Sequence, residues 1–229
     1  MLKQTNTLLL GLTVVLFSAS DATAITIGQI DDFQDGTTQG WTAGGAATIP
    51  TTNSTDNGPL GIGDHALLLA TTGAPGGPSS KLVAFNPAQW SGDYTAEGVT
   101  NISLEARNLS GRDVTVRLAA EGGGGAFSTI TGYLLPANSG WQSLSFDIAP
   151  IDWTTVAGGG AVAPGTNIAA TLSSMNTLRI VDSAVPSFTG DTGAGELLID
   201  NIQAVPEPGT ISMAMLLGAL GLRCRRRSV

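Results

Sequence analysis

The chain has 229 residues, with 18 acidic and 10 basic side chains and a net charge of −8. Residues 25–204 hold 16 Asp/Glu against five Lys/Arg (Lys81, Arg107, Arg112, Arg117 and Arg179), a net −11; a surface of that sign repels phosphate backbones and argues against a nucleic-acid partner. The single cysteine, Cys224, lies near the C-terminus and the single histidine is His65, which excludes an internal disulfide and a zinc centre of clustered His and Cys.

The N-terminal segment has the order of a secretory signal. Lys3 precedes an apolar stretch of ten residues, Leu8 to Phe17, and Ala22-Thr23-Ala24 follows as a small-x-small cleavage site. Ten residues fall short of the roughly 20 that span a bilayer as a helix. A signal peptide over 1–24 is expected, with the mature chain starting near Ile25.

The body, 25–204, opens on Asp31-Asp32-Phe33-Gln34-Asp35-Gly36-Thr37, which gathers carboxylates, an amide and a hydroxyl around a glycine turn. Short apolar stretches and turn clusters then alternate. Strands are expected at Gly40–Ala47, His65–Ala70, Lys81–Phe85, Asn101–Asn108, Asp113–Ala120, Ala126–Tyr133, Trp141–Ile148, Thr177–Asp182 and Glu196–Ala204. Ile102, Leu104 and Ala106 alternate with polar neighbours, as do Val114, Val116 and Leu118, and Leu144, Phe146 and Ile148. One wet and one buried face per strand indicates antiparallel pairing. Glycine-rich connections at 73–80, 121–125 and 157–165 separate the strands, and 168–175 reads as a short helix. The fold class is all-β, an antiparallel β-sandwich of jelly-roll type.

Catalytic signatures are sparse. His65 opens an apolar strand and reads as a structural histidine. Gly61-Ile62-Gly63-Asp64-His65-Ala66 fits G-x-G-x-x-A, but it follows no strand and opens no helix, so no dinucleotide site is expected. No G-x-S-x-G elbow occurs. At the end of the body, Leu198, Asp200 and Ile202 share one strand face by parity. A carboxylate in that phase is costly to bury unless it is paired or bound to a cation. First and last strands often lie together in one domain, and a hard cation such as Ca²⁺ suits oxygen ligands drawn from both ends.

The tail, 205–229, runs Val205-Pro206-Glu207-Pro208-Gly209, then an uncharged apolar run from Ile211 to Leu222, then Arg223, Arg225, Arg226 and Arg227. The prolines exclude helix at the first step, and the arginines hold the far end on the cytoplasmic side. This order resembles the PEP-CTERM sorting signal of bacterial exported proteins. The resemblance implies recognition of Pro206, Glu207 and Pro208 by an exosortase-type membrane protease. It also implies transient anchoring by a transmembrane helix in the tail, and a final place at the cell surface or in the extracellular matrix.

Within the body, DDFQDGTTQGW (31–41), SGWQSLSFDI (139–148) and LLIDNIQ (197–203) resemble segments of jelly-roll, galactose-binding-like carbohydrate-binding modules. That resemblance implies a structural Ca²⁺ on Gln34, the carbonyl of Gly36 and Asp200, with Asp32 as a further ligand; Gln34 stands where the family has glutamate. Aromatic platforms for a polysaccharide are expected among Trp41, Trp90, Trp141 and Trp153, and the acidic body favours neutral glycans. The expected function is that of an exported, surface-sorted, non-catalytic sandwich that binds or organises extracellular polysaccharide. The alternatives are a structural matrix or adhesion protein without specific sugar binding, and an exported hydrolase that uses carboxylates.

Overall fold

Period-two alternation, punctuated by glycine and proline, folds the body as hydrogen-bonded antiparallel ribbons. The computed structural model describes residues 24–44, 47–74 and 80–206. In chain order the strands are β1 (Ile30–Asp31), β2 (Thr52–Ser54), β3 (Ala66–Thr72), β4 (Val83–Asn86), β5 (Val99–Asn108), β6 (Val114–Gly122), β7 (Gly125–Thr129), β8 (Tyr133–Leu135), β9 (Gln142–Asp147), β10 (Trp153–Thr155), β11 (Met175–Asp182) and β12 (Ala194–Pro206). A 3₁₀ turn at Pro150–Asp152 leads into β10, and one short helix, α1 (Ile168–Leu172), leads into β11. The Asn167 side chain caps α1 by accepting from the Ala170 N–H.

Among the described residues the strands form two antiparallel sheets. The first has the order β2-β3-β12-β5-β9, with β1 also on β12; the second has the order β10-β7-β6-β11-β4, with β8 also on β6. The inward faces meet in one core that includes Leu67, Ile102, Leu104, Val116, Leu118, Leu144, Phe146, Leu178, Ile180, Leu197 and Ile199. This is the jelly-roll sandwich expected from the alternation. A second, smaller apolar cluster lies on the outer face of the second sheet, where Val83, Ala119, Ala126, Val181 and Phe188 pack with Phe85, Val156 and Val162.

Three expectations are corrected. Residues 40–47 form no named strand among the described residues: Gly40 and Gly44 have φ of +80° and +100°, and Thr42 makes only an isolated bridge to Phe85. The stretch 126–133 is two strands. Both β7 and β8 lie along β6, and at the break between them the Arg117 guanidinium collects the carbonyls of Thr129 and Ile130 on one side and Ser183 and Ala184 on the other. A Cβ at Gly132 would meet Arg117 Cζ at 2.7 Å, so the chain needs glycine to pass this side chain. Finally, Asp200 does not share a face with Ile202. The pairing of β12 with β5 shifts between Asp200 and Gln203, and Asn201 takes a φ of +50°. This bulge turns Ile202 and Ala204 into the core beside Leu197 and Ile199.

The expected signal segment and the apolar run of the tail lie outside the described residues. Among the described residues, no helix is long and apolar enough to cross a membrane.

Candidate functional site

Pairing of β1 with β12, Asp31 opposite Ile202, brings the two ends of the body together. Asp31 itself is buried, and its Oδ2 accepts from Trp41 Nε1 at 2.7 Å and from Trp90 Nε1 at 2.6 Å. Burial raises its pKa above the usual carboxylate value, and the two indole donors oppose that rise. Tyr94 closes the same pocket; burial and the Asp31 charge push its hydroxyl well above the ordinary tyrosine value. The rings of Trp41 and Trp90 are 6.0 Å apart, and the residues are only 1% and 0% exposed. Trp153 is 5% exposed. These three were expected as sugar platforms, and their burial leaves no ring face for a ligand. Trp141 is half-buried, and its Nε1 has no partner among the described residues.

On the other side of β1, the bulge holds Asp200 at 1% exposure beneath a group of carboxylates. Its donors are the Asn201 backbone N–H at 2.8 Å and the Asn201 side-chain amide at 3.3 Å, which also donates to Glu105 at 2.8 Å. Burial, with the charges of Asp64, Glu105 and Asp32 added, pushes Asp200 up to about 7 against the hydrogen bond from Asn201. Gln34 reaches the same place, donating its amide to Asp64 Oδ1 at 2.7 Å and to the Asp32 carbonyl at 3.2 Å. Gly36 closes its turn by donating to the Phe33 carbonyl, with a φ of +78°. Of the four expected calcium ligands, the structure thus brings Asp32, Gln34 and Asp200 into one neighbourhood.

The donors there are all hard oxygens, which is calcium chemistry. They do not form a ready shell: among the described residues no three Asp, Glu, His or Cys side chains are set to hold a metal ion. The Asn201 amide already bridges Glu105 and Asp200, and the Gln34 amide links Asp64 to the Asp32 carbonyl. Sequence reading missed Asp64 and Glu105, because they lie in the middle of the chain and only the sheet pairing brings them to Asp200.

A third feature lies on the outer face of the second sheet, which sequence reading passed over. β4 and β11, paired with Arg179 opposite Phe85, floor a cleft of about 480 Å³ lined by Lys81, Val83, Phe85, Gly160, Arg179 and Thr189. The Arg179 guanidinium carbon stands 4.8 Å from the Phe85 ring centre and 4.0 Å from that of Phe188. Burial pulls the Arg179 pKa down, and the charge of Glu121 opposes the change. Lys81 Nζ donates to Thr189 Oγ1 at 3.0 Å and to the Gly190 carbonyl at 2.7 Å. His65, by contrast, has Nδ1 2.8 Å from Asn53 Oδ1.

The body ends on β12, where Pro206 still stands opposite Val99 in the sheet. Pro206 is also the first residue of the Pro-Glu-Pro step, and residues 204–227 match the model of the PEP-CTERM protein-sorting motif. The chain carries a PEP-CTERM sorting tail. A PEP-CTERM tail marks an exported protein sorted through its C-terminus, and here the motif begins within the last strand of the sandwich. The sandwich itself is similar to part of an exo-beta-agarase, at 12% identity and a TM-score of 0.55; the alignment covers 80% of this chain and 25% of that one. This chain therefore spans about a quarter of that enzyme's length. A family 11 carbohydrate-binding module from Clostridium thermocellum aligns at 16% identity and a TM-score of 0.46, covering 80% of this chain and 99% of that one. A carbohydrate-binding module specific for non-crystalline cellulose aligns at 16% identity and a TM-score of 0.46, covering 80% and 98%. No curated protein matches the sequence.

Proposed function

We propose that this PEP-CTERM protein is an exported, non-catalytic polysaccharide-binding protein, displayed at the cell surface or released into the surrounding matrix. The observation that carries the reading is the cleft at Phe85 and Arg179. It offers two cations, the Phe85 ring and the Thr189 hydroxyl on one open face, which are the kinds of group that recognise a sugar's polar rim and apolar face. The sandwich that bears the cleft shares its fold with part of an exo-beta-agarase, a likeness that supports a polysaccharide over other ligands. The sorting motif supplies the address, and an exosortase-type membrane protease is the partner that reads Pro206, Glu207 and Pro208. Cleavage after Ala24 is part of the same reading: it frees Ile25, whose side chain is buried and whose N–H donates to the Ser91 carbonyl at 2.7 Å.

Calcium belongs to this proposal as a structural ion. Asp200 and Asp32 would supply carboxylate oxygens and Gln34 its amide oxygen, with Gly36 giving a carbonyl. The ion would neutralise a buried carboxylate that now lies among other acids.

The test is affinity electrophoresis of the full chain in non-ionic detergent, through gels containing mixed-linked β-glucan, dextran, alginate, dextran sulfate or the host's own matrix polysaccharide. Retardation by at least one polymer, relieved by that polymer in solution, is the expected result. Unchanged mobility in every gel would leave the protein as a structural matrix component.

A further inference from the structure

We propose that the cleft on the second sheet recognises an anionic substituent of its polysaccharide, a uronate carboxylate or a sulfate ester, through Arg179 with Lys81 beside it. This rests on the polysaccharide-binding reading and gives it a substrate class that the overall acidity of the body does not suggest.

The fates of the arginines carry the argument. Arg117 donates to four backbone carbonyls and is used up in holding the strand break. Arg112 is paired with Asp182 at 2.6 Å. Arg179 has neither kind of partner among the described residues: no ion pair reaches it, and its buried Nε has no acceptor. It is nonetheless held in place, flanked by Phe85 and Phe188, so little side-chain entropy remains to be lost when a ligand binds. A guanidinium that is partly desolvated, stacked and without an acceptor is poised for a planar or tetrahedral oxyanion, which it binds through paired N–H donors. Arg107 also has a buried Nε without a partner, but it lies on the first sheet, opposite Leu198, away from this cleft.

Charge favours the same ligand locally. Lys81 and Arg179 are two of the five basic residues of the body, and both line this one cleft. Glu121 is the carboxylate that acts on Arg179, and it forms no ion pair with it. At physiological ionic strength charges are screened over about 8 Å. The acids on the rest of the surface are therefore weakly felt by a group inside the cleft, and the two cations dominate there.

The experiment measures dissociation constants of the full chain in non-ionic detergent at about 0.15 M salt. The probes are alginate (carboxylate), dextran sulfate (sulfate), and the neutral polymers dextran and mixed-linked β-glucan. We expect tighter binding of at least one anionic polymer than of either neutral one, by about tenfold or more. Arg179→Gln should remove that preference, and Arg179→Lys should keep part of it, since lysine retains the charge and loses the fork. Melting curves check that the variants fold. The wild-type comparison of anionic with neutral polymers decides the matter even if they do not. Binding of neutral polymers equal to or tighter than binding of alginate and dextran sulfate, or an anion preference unchanged in Arg179→Gln, overturns the anion assignment while polysaccharide binding stands. No binding of any polymer overturns both.

Discussion

Trp41 and Trp90, 49 residues apart in sequence, donate their indole N–H groups to one and the same oxygen, Oδ2 of Asp31. The two rings close one end of the core, and the carboxylate fixes their orientation. Removing the acceptor leaves two buried donors unsatisfied, each costing about 1–3 kcal/mol. Asp31→Ala is expected to lower unfolding free energy by about 3 kcal/mol or more, and Trp41→Phe by about 1–2 kcal/mol. Urea unfolding followed by tryptophan fluorescence checks both. Losses below about 0.5 kcal/mol would show that the cluster adds little to stability.

Acidity should stabilise this protein over part of the pH range. The Asp200 carboxyl, pushed up to about 7 from an ordinary value of 3.8, holds its proton in the folded chain at pH values where the unfolded chain has released it. Between those two values the folded state binds more protons, so stability falls as pH rises from about 4 to about 7. In the presence of chelator, melting at pH 5 is expected to exceed melting at pH 8, with about 2–3 kcal/mol traceable to this group. Asp200→Asn should flatten that slope. An unchanged slope in the variant would assign the effect to other carboxylates.

Calcium and the proton should compete for the same carboxylate. A ligand that binds only the folded state adds about 2.7 kcal/mol at 100 times its dissociation constant. At pH 8, calcium is expected to raise the melting temperature and to weaken the pH dependence described above. Asp200→Ala should abolish the response. Superimposable melts in calcium and in chelator would remove the ion from the account.

Sorting should depend on the Pro-Glu-Pro step and not on the body. Replacing Pro206, Glu207 and Pro208 together by alanine is expected to leave a full-length, membrane-retained form, visible as a size shift on immunoblots of fractionated cells. Maturation at the wild-type rate would mean that the protease reads some other part of the tail.

Much of the sandwich was legible because strand faces are written in alternation: Ile102, Leu104 and Ala106 point into the core as their spacing requires. The breaks were not legible. Nothing local in Ala126–Tyr133 announces that Arg117, on a neighbouring strand, will divide it. Parity likewise failed at Asp200, because the Asn201 bulge is a property of the pairing with β5 and not of β12 alone. For the site, sequence located the Asp31–Gly36 turn and Asp200 but not their meeting with Asp64 and Glu105. The tryptophans misled because an indole is as well suited to a core as to a ligand face, and burial is decided by the whole fold. The cleft at Arg179 was missed because Phe85, Arg179 and Phe188 have no shared spacing and are brought together by the β4–β11 register and the loop after β11.

The place of β12 bears on the order of events during folding. It is the last strand of the sandwich to be synthesised, yet it lies inside the first sheet, with β3 on one side and β5 on the other. Until residues 194–206 arrive, β3 and β5 have no strand between them, and the facing halves of the core cannot close. While the chain is being made from its N-terminus, the body therefore stays open until its last strand exists. The end of the closing strand and the start of the sorting motif are the same residues, so the sandwich can complete only when the first proline of the Pro-Glu-Pro step is in place opposite Val99.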